Sequence, residues 1–133
     1  MKLRFRDNSL RLRVNRPEVE NLAVGGSLEE RIEFPGGARL SYILESSPEA
    51  AAGASFREGV IRVSAPDWEI KDWARGDAIG LYFQVTGGSA TLKVAIEKDL
   101  ECVEAQPDER EPDAFPRRTT SAATFPHPPG KIC

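Results

Sequence analysis

The 133-residue chain carries 18 Lys and Arg against 21 Asp and Glu, a net charge of −3, with 40% hydrophobic and 29% charged residues. These values exclude a wholly disordered chain and leave room for one domain whose core needs neither disulfide nor metal staples. Two cysteines, Cys102 and Cys133, make no disulfide framework, and no export-type or membrane-length apolar run is present, so the expected compartment is the cytoplasm.

The opening MKLRFRDNSLRLRV predicts a β-hairpin. Leu3 and Phe5 alternate with charges, Asp7-Asn8-Ser9 is turn chemistry, and Leu10, Leu12 and Val14 resume the period of two. Pro17 then stands at a first helical position, and Val19, Leu22 and Ala23 follow at helical spacing until Gly25-Gly26. Leu28, Ile32 and Phe34 return to alternation, Gly36-Gly37 turns the chain, and Leu40, Tyr42 and Leu44 predict a further strand.

Residues 46–55, SSPEAAAGAS, read as a surface connection to a second half. There Phe56 opens a strand, Glu58-Gly59 turns, and Ile61 and Val63 alternate with Arg62 and Ser64. Pro66 starts a helix containing Trp68, Ile70, Trp73 and Ala74, whose indoles are expected to seal the core. Strands around Ile79–Val85 and Leu92–Ile96 flank Gly87-Gly88.

The element order of the two halves is the same. Phe5-Arg6-Asp7 matches Phe56-Arg57-Glu58, Pro17-Glu18 matches Pro66-Asp67, Gly26-Ser27 matches Gly76-Asp77, and Gly36-Gly37 matches Gly87-Gly88. The expectation is a single β-rich domain over 1–103, built from ββαββ halves at 1–46 and 55–99. From 104 to 133 an acidic, then proline-rich, tail holds six of the ten prolines and few apolar anchors.

Charge is polarised along the chain. Lys2, Arg4, Arg6, Arg11, Arg13 and Arg16 face only Asp7 within residues 1–16, whereas residues 97–113 carry eight acids against Lys98 and Arg110. In a hairpin, Lys2, Arg4 and Arg6 project to one side together, as do Arg11 and Arg13 on the partner strand. Such a ribbon suits phosphate oxygens and guanine edges, so these six cations are the candidate nucleic-acid or polyanion site. Two alternatives remain: a solvated face, or a ribbon neutralised by the acidic segment, as in a protein-interaction module.

Other chemistry finds thin support. His127 is the only histidine, and Cys102 and Cys133 lack zinc-site spacing, so neither a metal nor a cofactor is expected. No GxSxG, P-loop or HExxH motif occurs. Carboxylate pairs such as Glu29-Glu30, or Glu97 with Asp99, leave only a weak enzyme reading with no assigned catalytic residue.

Two resemblances add to this. The stretch Asn8–Val14, a proline-started helix, Gly26-Ser27 and a two-stranded turn resemble the AbrB and MazE type of swapped-hairpin unit, as does Ile61-Arg62-Val63 through Pro66 to Gly76–Ile79. In that superfamily two units interleave to close one barrel, usually from two chains; the resemblance implies a pseudo-duplicated barrel in which one chain supplies both. An open sheet with flanking helices is the alternative fold. The start MKLRFRDNSLRLRV, Leu28-Glu29-Glu30 and Ile96–Cys102 resemble, over residues 1–102, small bacterial proteins grouped as a domain of unknown function, which implies no activity.

Overall fold

Alternating apolar residues and short turns build eight strands and two helices in the computed structural model, which describes residues 1–100. In chain order they are β1 (Lys2–Arg6), β2 (Ser9–Val14), α1 (Arg16–Ala23), β3 (Ser27–Glu33), β4 (Arg39–Ser47), β5 (Gly53–Arg57), β6 (Val60–Pro66), α2 (Asp67–Arg75), β7 (Gly80–Gly87) and β8 (Ala90–Lys98). The fold is mainly β with two helices, as the alternation predicts. The expected 46–55 connection is shorter than anticipated: β4 runs to Ser47 and β5 begins at Gly53. Its small residues can extend because neighbouring strands complete their hydrogen bonds, a non-local gain that composition does not report.

The first and third hairpins, β1–β2 and β5–β6, turn through two residues each, Asp7-Asn8 and Glu58-Gly59, all four with positive φ, from 46° to 76°. That is the geometry whose twist matches antiparallel strands. Gly59 is constrained further, since a Cβ there would meet the Arg39 carbonyl oxygen at 2.9 Å. Helix α1 is fixed at its start by a capping box. Asn15 accepts from the Glu18 N–H at 3.0 Å while Glu18 accepts from the Asn15 N–H at 2.9 Å.

Four hairpins combine into two sheets, ordered β1-β2-β8-β7 and β3-β4-β6-β5. In each, two antiparallel hairpins join through a parallel inner pair, with Leu10 opposite Val94 and Leu12 opposite Ile96 in the first, and Ile61 opposite Tyr42 and Val63 opposite Leu44 in the second. The first and last hairpins of the chain therefore share one sheet, and the middle two share the other. Exchanging residues 1–47 with 53–98 element by element exchanges one sheet for the other.

Leu10, Leu12, Val14, Val94 and Ile96 from the first sheet and Leu44, Ile61, Val63 and Ala65 from the second enter one buried cluster. Helices α1 and α2 pack on each other and add Val19, Leu22, Ile70 and Trp73 to it. Trp73 is sealed in, its indole N–H donating to the Ile79 carbonyl at 3.0 Å, but Trp68 is 67% exposed, against the expectation for both rings. The periodicity explains the difference, because Ile70 and Trp73 lie three apart on one helical face and Trp68 does not share it.

Candidate anion-binding face

The β1–β2 register sets Lys2 opposite Arg13, Arg4 opposite Arg11 and Arg6 opposite Ser9. Directly opposed residues share a face, so Lys2, Arg4, Arg6, Arg11 and Arg13 all stand on the side away from Leu3, Leu10 and Leu12. The parallel β2–β8 pairing adds Lys93 beside Ser9, with Ala95 beside Arg11 and Glu97 beside Arg13. Strand β7 completes the surface with Tyr82 and Gln84. Arg16 does not belong to it: it opens α1, beyond the end of β2, so adjacency in sequence does not carry it onto the sheet.

Within this outer face Glu97 is the one acid on the strands. Its carboxylate lies 3.2 Å from the Arg11 Nε and 3.7 Å from the Arg13 Nε, and it accepts the Tyr82 hydroxyl at 2.8 Å. Through that hydrogen bond first, then burial and the charge of Glu97, the Tyr82 pKa is raised despite the opposing Arg11. At the sheet ends Lys2 meets Asp99 at 2.9 Å and Arg6 lies 3.7 Å from Asp7. Among the described residues, Arg4 and Lys93 form no ion pair. Six cations thus face Asp7, Glu97 and Asp99. The further acids of the 97–113 segment, from Glu101 onward, lie outside the described residues.

The second sheet offers a comparison inside the same chain. Arg62 pairs with Glu45 at 2.6 Å, in the place that Arg11 and Glu97 hold in the first. This inter-hairpin pair recurs and belongs to the architecture. The other cations do not recur. Where the first sheet has Lys2, Arg4, Arg13 and Lys93, the equivalent registers of the second carry Gly53, Ser55, Ser64 and Ser41. In the place of Tyr82 stands Glu29, which with Glu33 and Glu45 offsets Arg31, Arg39, Arg57 and Arg62. One outer face is strongly basic and the other nearly balanced.

Residues 1–119 match the family of unknown function DUF7009. The chain belongs to it. The match to DUF7009 covers every described element and continues beyond residue 100. No curated protein and no solved structure matches the chain. Among the described residues no cluster of three metal-ligating side chains occurs, and no helix is long and apolar enough to cross a membrane.

Sequence reasoning missed Lys93 and Tyr82. Both sit in plain alternation, Lys93 between Leu92 and Val94 and Tyr82 between Leu81 and Phe83, so their outward direction was readable. What was not readable is that β7 and β8 join the hairpin that begins the chain.

Proposed function

We propose that this DUF7009 chain binds nucleic acid through the outer face of its first sheet, with Lys2, Arg4, Arg6, Arg11, Arg13 and Lys93 contacting phosphates. The observation that carries this reading is the difference between the two faces: the fold tolerates Gly and Ser at four positions where the first sheet places cations. Gathering like charges on one surface costs electrostatic energy that a polyanion offsets. Tyr82, 63% exposed on the same face, offers a ring on which a base can stack.

The finer fold reading accompanies it. We infer a duplicated, swapped-hairpin barrel of the AbrB kind, supported by the matching strand pairings and by the recurrent Arg11–Glu97 and Arg62–Glu45 pairs. A competing reading is an interaction module whose ribbon is held by its own acidic segment. The Lys2–Asp99 pair favours it, because Asp99 lies near the start of that segment.

The test replaces the four cations by their second-sheet counterparts, Lys2→Gly, Arg4→Ser, Arg13→Ser and Lys93→Ser, and follows duplex and single-stranded oligonucleotides by fluorescence anisotropy across salt. The parent chain should lose affinity steeply with salt, and each lost phosphate contact should flatten the log–log slope by about 0.7 to 0.9. A parent chain that does not bind at low salt overturns the proposal. Truncation at residue 103 separates the alternatives, since release of a competing acidic segment should raise affinity.

A further inference from the structure

At the end of the domain opposite the helices, where the hairpin turns lie, the core opens into a cleft of about 750 Å³. Apart from Ala54, its apolar lining forms three equivalent pairs from the two halves: Phe5 with Phe56, Leu10 with Ile61, and Leu40 with Leu92. Both rings are left in water, Phe5 60% and Phe56 66% exposed. An aromatic side chain buries roughly 150–250 Å² when covered, so two of them at one mouth form a substantial uncovered surface.

The rim is charged in both senses. Each hairpin continues from its phenylalanine into an arginine and then an acid, Phe5-Arg6-Asp7 and Phe56-Arg57-Glu58, and all four charged side chains are exposed. The acids occupy the turn tips with positive φ, 46° at Asp7 and 50° at Glu58. Asn or Gly suits such a turn position with less strain than Glu. A carboxylate therefore stands at the second tip against the local backbone preference, which points to a role for its charge.

A two-fold interface must be self-complementary, because each copy presents the same patch. A mouth with paired apolar residues at its centre and both signs of charge at its rim meets that requirement; a uniformly basic or acidic rim would repel its twin. We propose that this mouth is the interface between two copies of the chain, packed mouth to mouth, with the phenylalanines of the two copies in contact and the arginines of each facing the acidic tips of the other.

Sedimentation velocity of the full chain over a range of micromolar concentrations tests this. The parent should show a monomer–dimer equilibrium. The Phe5→Ser, Phe56→Ser double variant should stay monomeric with an unchanged circular dichroism spectrum, since both rings are already exposed, and Phe56→Leu should still dimerise. Asp7→Arg with Glu58→Arg makes the rim wholly basic and should weaken association about tenfold at low salt, with partial recovery at high salt. A parent that stays monomeric overturns the proposal, as does a dimer that survives the double serine variant. Uptake of a fatty acid or a naphthalene dye by a monomer that never dimerises also overturns it and makes the cleft a small-molecule site.

Discussion

Glu97 holds three side chains of the basic face at once, the Arg11 and Arg13 guanidiniums and the Tyr82 hydroxyl. Its counterpart Glu45 holds Arg62, so part of this arrangement serves hairpin pairing and part restrains the face. Glu97→Gln removes the charge while keeping an acceptor for Tyr82. Two outcomes are expected: the Tyr82 pKa falls back toward its ordinary value, read by NMR titration, and oligonucleotide affinity at low salt rises several-fold. Unchanged affinity would remove Arg11 and Arg13 from the binding surface. A second cluster works through protonation. The Met1 α-amino group lies 2.5 Å from Glu18 and 3.0 Å from Glu30, and Tyr42 donates to the Met1 carbonyl at 3.4 Å. Burial alone would lower the pKa of that amine, but hydrogen bonds and charge from Glu18 and Glu30 outweigh it and leave it raised. A folded-state pKa above the unfolded value of about 8 stabilises fully below that pH and is lost as pH climbs through the raised value. The urea midpoint should therefore decline above about pH 8, and Glu30→Gln should shrink that decline.

At the scale of elements, the turns of the first and third hairpins show what local sequence can and cannot fix. Asp7-Asn8 and Glu58-Gly59 sit between alternating runs, and both were legible as turns because Asp7, Asn8 and Gly59 are residue types that accept positive φ, which Glu58 is not. Gly59→Ala combines a φ of +76° with a Cβ at 2.9 Å from the Arg39 carbonyl, and should cost more than about 1 kcal/mol in denaturant melts. Glu58→Asn should stabilise by a few tenths to about 1 kcal/mol, since Asn adopts that conformation more readily. The helices were likewise readable from Pro17, Pro66 and their apolar spacing. Pairing between elements was not. The joining of β2 to β8 links Leu10 to Val94 across most of the domain, and nothing in either segment names the other. The basic face was legible only as far as the hairpin that carries five of its cations. Lys93 reaches it through long-range pairing, and Arg16 leaves it because the Asn15 cap turns the chain into a helix.

For the molecule as a whole, the shared sheets make each half incomplete alone. Residues 1–47 contain β1-β2 and β3-β4, but these hairpins lie in different sheets, and the inner strand of each finds its parallel partner in the other half. A lone half would expose the partner-facing edges of β2 and β4 and lose Trp73, Ile70, Val94 and Ile96 from the cluster that covers Leu12, Leu22 and Leu44. Isolated hairpins of this size are marginal in water, so neither half should hold its fold as a monomer. The connection 48–52 is the place to cut, because it joins β4 to β5 outside both sheets and its Pro48, Glu49, Ala50 and Ala51 are exposed. Two fragments divided there and produced together should reassemble with the β-sheet spectrum and cooperative melting of the intact chain, because the inter-half strand pairs are unbroken. Either fragment produced alone should be unfolded, or paired with a second copy of itself in place of the missing half. A first half that folds as a stable monomer would show that the interleaved pairing of the sheets is not what holds this domain together.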